Sequence, residues 1–141
     1  ARHFGATDTV NAKDDPVAAV RELTGGRGAD YSFEVTGKVP VMEQAYAATR
    51  RGGTVCIIGI GHYTESFPLN ACGFSADAKT VIGCMYGNTN FKVDMPDLLE
   101  LYLSKRLDLD AMITRTYSID EVPQAFEDLK SGINARGVIL F

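Results

Sequence analysis

The chain has 141 residues, 45% hydrophobic and 23% charged, which is the composition of an ordinary α/β domain and a length that suits one domain. Its net charge of −4 comes without any run of Lys or Arg, Arg50-Arg51 and Lys105-Arg106 being the only adjacent basic pairs, so nucleic acid is not an expected partner. No apolar run nears the ~20 residues that span a bilayer, and no signal peptide opens the chain, so no membrane is implied and a cytoplasmic location is expected.

In chain order, Ala1 to Phe4 followed by Gly5 reads as the last turn of a helix whose beginning is missing, so further sequence is expected upstream. Thr9-Val10 reads as a short strand. Asp14 or Asp15 before Pro16 starts a helix with Val17, Val20 and Leu23 on one face, and Gly25-Gly26 end it. Residues 30–35 (DYSFEV) read as a strand, residues 39–49 as a helix, and residues 54–60 (TVCIIGI), apolar almost throughout, as a strand buried on both faces. Strand, helix, strand, helix, strand with crossovers of about a dozen residues is the signature of a parallel, doubly wound α/β sheet.

The second half is less regular. Residues 66–77 read as a loop with a short helical turn and residues 80–86 (TVIGCMY) as a strand. A helix over residues 94–105 would be capped by Asp94, with Pro96 in its first turn. A short strand over residues 113–117 precedes a helix over residues 121–130, for which Ser118 and Asp120 are both possible caps and Asp120 is favoured because Pro123 then falls in the first turn. Gly132 stops that helix, and residues 136–141 (RGVILF) form a last strand.

Ligands of doubly wound sheets lie beyond the carboxyl ends of the strands, so Gly37, Gly59, Gly61 and Gly87, the glycines that end strands, mark a candidate cleft. Gly59-Ile60-Gly61 is not a GxGxxG turn, since its sixth position is Thr64 and no suitable helix with a downstream acidic residue follows. Cys56, Cys72 and Cys84 are widely spaced, and His3 and His62 stand alone, so these residues suggest neither a disulfide frame nor a metal site.

Three segments in this order, GADYSFEVTGK, RRGGTVCIIGIG and ITRTYSIDEVPQAFEDLKSGINARGVILF, resemble the medium-chain, zinc-dependent alcohol dehydrogenase family, near its glutathione-dependent formaldehyde dehydrogenase type. The resemblance runs through essentially the whole chain. It implies a partial Rossmann sheet without its first two strands, residues 1–88 closing the dinucleotide-binding domain and residues 89–141 returning toward a catalytic domain. It also implies NAD or NADP as cofactor, with zinc held only by residues upstream, and no catalytic residue or metal ligand in this chain.

Carried over residue by residue, the VTGK turn (Val35, Thr36, Gly37, Lys38) would flank the adenosine end of the cofactor. The carbonyls of Ile58 and Cys84 and the N–H of Tyr86 would meet the nicotinamide carboxamide, and Gly59 and Ile60 would border the nicotinamide ring and the substrate pocket. Arg136 would pair with the pyrophosphate, a role that suits a guanidinium able to bond two oxygens at once. Gly61-His62-Tyr63 departs from the family, which often carries prolines there.

The resemblance implies hydride transfer between a small alcohol or aldehyde and the nicotinamide in the full enzyme, with this chain inactive alone. It implies a homo-oligomer joined through the strand between Val81 and Tyr86, and an exposed edge on the strand at residues 30–35. A zinc-independent relative of the quinone-reductase type and a non-enzymatic, self-associating domain are the alternatives.

Overall fold

Three parallel strands organise the first of two compact units, Ala1–Thr89 and Asn90–Phe141, into which the computed structural model of all 141 residues divides. Helix α1 (Pro16–Leu23) starts where Asp15 accepts a hydrogen bond from the Ala18 N–H at 3.0 Å, so Asp15 rather than Asp14 is the cap. Strand β1 (Ala29–Glu34), helix α2 (Val39–Ala48), strand β2 (Thr49–Ile57), helix α3 (Ala71–Asp77) and strand β3 (Thr80–Gly83) follow. The order β1-β2-β3, parallel throughout, is the α/β pattern expected from the sequence. The central strand carries the core: Val55 is fully buried and Cys56 nearly so.

Four boundaries differ from expectation. Thr9-Val10 forms no strand; extended backbone becomes a strand only when paired, and these residues have no neighbour in the sheet. Strand β2 begins at Thr49 rather than Thr54, because an irregularity between the Ala29–Thr49 and Tyr31–Thr54 pairs absorbs Gly52 and Gly53 instead of ending the strand there. The same strand stops at Ile57, so Ile58, Gly59 and Ile60 lie beyond it. Strand β3 stops at Gly83, leaving Cys84 and Tyr86 outside, since Tyr86, Gly87 and Asn88 adopt φ of 48°, 72° and 52° and turn the chain away. The outer edge of β1 has no partner strand, and Tyr31 and Phe33 of that strand are exposed.

In the second unit, helix α4 (Phe91–Leu103) begins a turn earlier than expected. Asn90 is its cap, and the Asn90 N–H donates to Asp94 Oδ2 at 2.7 Å. Asp94 therefore supports the cap from inside the helix, and Pro96 sits in the interior. Strand β4 (Arg115–Ser118) pairs in parallel with β5 (Gly137–Leu140), across helix α5 (Val122–Ser131). The favoured cap Asp120 makes no capping bond. Glu121 instead turns back to accept from the Ser118 N–H and hydroxyl at 2.8 and 3.0 Å, a reciprocal box around a short 3₁₀ turn that precedes α5.

Candidate cofactor site

Glu34, the last residue of β1, builds the junction where the first two strands end. Its side chain is 1% exposed, yet it stays ionised because the following turn folds over it. The N–H groups of Thr36 and Gly37 donate to Oε1 at 2.7 and 3.0 Å, the Thr36 hydroxyl donates to the same oxygen, and the Gly37 N–H also reaches Oε2 at 3.2 Å. Burial pushes the Glu34 carboxyl up, but the Thr36 hydroxyl and the backbone N–H groups of Thr36, Gly37 and Lys38 more than offset it and hold the group below the usual glutamate range. On the other side the Glu34 carbonyl accepts from the N–H groups of Ile58 and Gly59 at 2.8 and 3.1 Å. One residue thus joins the turn after β1 to the turn after β2.

The glycines let the two turns touch. A Cβ on Gly59 would stand 2.0 Å from the Gly37 nitrogen, and one on Gly37 would stand 2.4 Å from the Ile60 carbonyl oxygen; Gly37 also takes φ +74°. Val35, Thr36 and Lys38 remain exposed around this contact, and Ile60 projects with 78% of its surface free.

The end of β3 completes the row. The Cys84 N–H donates to the Ile57 carbonyl at 2.9 Å, which keeps Cys84 beside Ile58, while the carbonyls of Ile58 and Cys84 and the N–H of Tyr86 have no partner within the chain. Burial and then the neighbouring Cys84 push the Cys56 thiol up, so the buried cysteine is no nucleophile. His62 bonds Thr64 through Nδ1 at 2.7 Å and stacks on Tyr63, as a loop histidine rather than a ligand. Groups of three or more His, Cys, Asp or Glu placed to hold a metal ion are absent.

Arg136 lies in the second unit, one residue ahead of β5. Its backbone is anchored to Thr114, whose N–H donates to the Arg136 carbonyl at 3.0 Å, and its exposed side chain makes no ion pair. Beneath it lies a polar core that the sequence reading missed. Asp128, 2% exposed, accepts from Arg115 Nη1 and Tyr117 Oη at 2.6 and 2.7 Å and from Gln124 Nε2 at 2.7 Å, and Asn134 Nδ2 donates to Tyr117 Oη at 2.6 Å.

Nine of the ten residues singled out in the sequence gather at the carboxyl ends of β1, β2 and β3. Glu34 was read only as part of a strand, although an acidic residue in an apolar strand just ahead of Thr-Gly is itself a signal of a buried carboxylate receiving turn N–H groups.

The model of the family described as zinc-binding dehydrogenase matches residues 1–104. The chain belongs to that family. The dehydrogenase chain is 35% identical over 144 residues to the NDMA-dependent alcohol dehydrogenase of Amycolatopsis methanolica, covering 99% of this chain and 38% of that protein. It is 34% identical over 143 residues to alcohol dehydrogenase 1 of Zea mays, covering 99% and 37%. The crystal structure of benzyl alcohol dehydrogenase from Acinetobacter calcoaceticus superimposes with a TM-score of 0.91 at 28% identity, over 98% of this chain and 38% of that one. This zinc-binding dehydrogenase chain therefore spans a little over a third of the length of the curated relatives it matches. The resemblance read from the sequence is borne out at the level of family and fold. No helix is long and apolar enough to cross a membrane.

Proposed function

We propose that this chain is the cofactor-holding part of a zinc-dependent, NAD- or NADP-linked alcohol dehydrogenase, which transfers a hydride between a small alcohol and the nicotinamide. The observation that carries this reading is the set of three unpaired backbone groups at the ends of β2 and β3, the carbonyls of Ile58 and Cys84 and the N–H of Tyr86. Two acceptors and one donor complement a carboxamide, which offers two N–H donors and one carbonyl.

Around that set, Ile60 supplies an apolar surface for the nicotinamide ring and the border of the substrate pocket. The VTGK turn, Val35 to Lys38, flanks the adenosine end; Arg136, in the second unit, is given the pyrophosphate by the family resemblance, a role that suits its guanidinium. Zinc would polarise the alcohol oxygen in the whole enzyme. This chain has no ligand set for the metal, so the metal's share of the chemistry belongs to the rest of the longer protein and the chain alone is expected to be inactive. Residues 89–141 are read as the segment that returns toward the catalytic domain.

The test is a titration of the chain with NADH followed by saturation-transfer NMR. The expected result is saturable binding in the millimolar range, weakened about tenfold by Arg136→Ala through the loss of one charge-assisted contact. Absence of saturation transfer to the nicotinamide protons from a folded chain refutes the reading.

The free edge of β3, where Ile82 is exposed with Met85 just beyond the strand, is proposed as the line along which two copies join. Light scattering after size exclusion should report a dimer that Ile82→Lys converts to monomer, and a dimer indifferent to that substitution would rule this edge out.

A further inference from the structure

The amino ends of the same three strands carry a second concentration of function-bearing side chains. Arg27 lies just ahead of β1, Arg50 and Arg51 at the start of β2, and Lys79 just ahead of β3, while Arg21 reaches in from the last turn of α1. With Asp77 these residues line a cavity of about 260 Å³. Five positive charges from four separate stretches of chain face two carboxylates, Asp77 in the lining and Asp30 beside it.

The hydrogen bonds within the cluster leave most of its donors unspent. Lys79, with a side chain 5% exposed, donates to the Tyr46 carbonyl at 2.8 Å, stands 3.7 Å from Asp77 and lies over the Tyr46 ring. Arg51 donates to the Ala76 carbonyl at 2.7 Å and stands 3.5 Å from Asp77. Arg21 spends one donor on the Ala47 carbonyl at 3.1 Å, and Arg50 pairs with Asp30 and donates to the Arg51 carbonyl at 2.8 Å. The Arg27 N–H donates to the Thr24 carbonyl at 3.4 Å, but its guanidinium donates to nothing in the chain and only helps Arg50 hold the Asp30 carboxyl low.

Gathering like charges around a partly desolvated cavity is unfavourable unless an anion completes it. Lys79 registers that cost: burial, and then the nearby Arg21 against the opposing Asp77, pull its ammonium below the usual lysine range. Guanidinium groups with free forks present parallel N–H pairs that match phosphate oxygens.

We propose that the cavity at the amino ends of β1, β2 and β3 is a binding site for a phosphate-bearing small anion, held by Arg21, Arg27, Arg50, Arg51 and Lys79. It lies at the opposite end of the sheet from the cofactor cradle, roughly 20 Å away by the rise of six-residue β1, and is separate from it. A multiply charged phosphate balances the surplus and uses the idle forks of Arg27 and Arg21.

The experiment is calorimetric titration of the chain with inorganic pyrophosphate and, separately, orthophosphate, at fixed ionic strength. Saturable pyrophosphate binding is expected, about tenfold weaker in Arg27→Gln and in Arg51→Gln, and unchanged in Lys13→Gln, an exposed lysine outside the cavity. The Arg27 guanidinium has no hydrogen bond in the chain to lose, so its variant keeps the fold, which circular dichroism verifies. No saturation up to about 10 mM, or equal affinity in wild type and both cluster variants, overturns the proposal. Loss of binding in Arg136→Gln alone also overturns it, by assigning the pyrophosphate to the cofactor site.

Discussion

Gly59→Ala should destabilise the first unit by about 3 kcal/mol and abolish measurable NADH binding, the largest effect expected of any single methyl group in this chain. The added carbon would stand 2.0 Å from the Gly37 nitrogen, 2.7 Å from the Gly37 Cα and 2.7 Å from Glu34 Oε2. Two of these atoms are backbone, and the third ends a buried side chain that the Thr36 and Gly37 N–H groups hold in place. The Gly37 backbone must retreat, and in doing so it gives up its 3.0 Å bond to Glu34 Oε1, leaving a buried carboxylate short of a donor. Relief in the other direction moves Gly59 outward and breaks its bond to the Glu34 carbonyl, which carries Ile58 and Ile60 off the cofactor cradle. Gly83→Ala is the control, because a Cβ there meets nothing within 4 Å. Urea denaturation of the two variants beside wild type measures the difference. A Gly59→Ala chain within about 0.5 kcal/mol of wild type would mean that the two turns do not bear on one another as described.

That junction also shows how far the sequence could be read. The parallel α/β sheet was legible because Val55 and Cys56 sit in an unbroken apolar run, and because the crossovers between strands have the length of a helix. The turn glycines were legible as turns. Their mutual contact was not, since Gly37 and Gly59 are brought together by the pairing of β1 with β2, which no local pattern records. Strand ends were misread for a related reason. Cys84, Met85 and Tyr86 have the composition of a strand, and only the left-handed backbone at Tyr86 and Asn88 reveals that the ladder has ended. Charge gave a similar lesson. Arg50-Arg51 looked like an isolated pair, but the fold brings Arg21, Arg27 and Lys79 to the same cavity from positions far apart in sequence. In the second unit, helix caps were decided by reciprocity rather than residue preference. Asn90 and Ser118 prevailed over Asp94 and Asp120 because each has a carboxylate three or four residues on that returns the bond, Asp94 to the Asn90 N–H and Glu121 to that of Ser118.

Asp128→Ala should lower the melting temperature of the second unit by on the order of 10 °C, whereas Asp120→Ala, eight positions earlier and without a capping bond, should leave it unchanged. All three partners of Asp128 are donors, so the site requires an acceptor at every contact: Tyr117 Oη and Arg115 Nη1 on Oδ2, Gln124 Nε2 on Oδ1. Alanine leaves the Tyr117 hydroxyl, in a residue 2% exposed, and the Arg115 guanidinium without that acceptor. Asparagine restores the site only in part: its N–H₂ needs the Gln124 amide to flip and accept, and it lacks the charge that pairs with Arg115. The pH dependence has a definite sign. The hydrogen bonds from Tyr117 and then Gln124, against the opposing burial and with help from Arg115, hold the Asp128 carboxyl below its ordinary value of 3.8. A carboxyl whose folded pKa lies below its unfolded one contributes stability that is present above the unfolded value and is lost as the pH falls through the folded one. Wild type should therefore lose melting temperature as the pH drops below about 4, and the Asp128→Ala chain should lose less over the same interval, having no such group to protonate. Thermal unfolding at pH 7 and pH 3 decides it. Equal acid sensitivity in the two chains would show that Asp128 is not the carboxylate on which the second unit depends, and the loop holding Arg136 would then need another support.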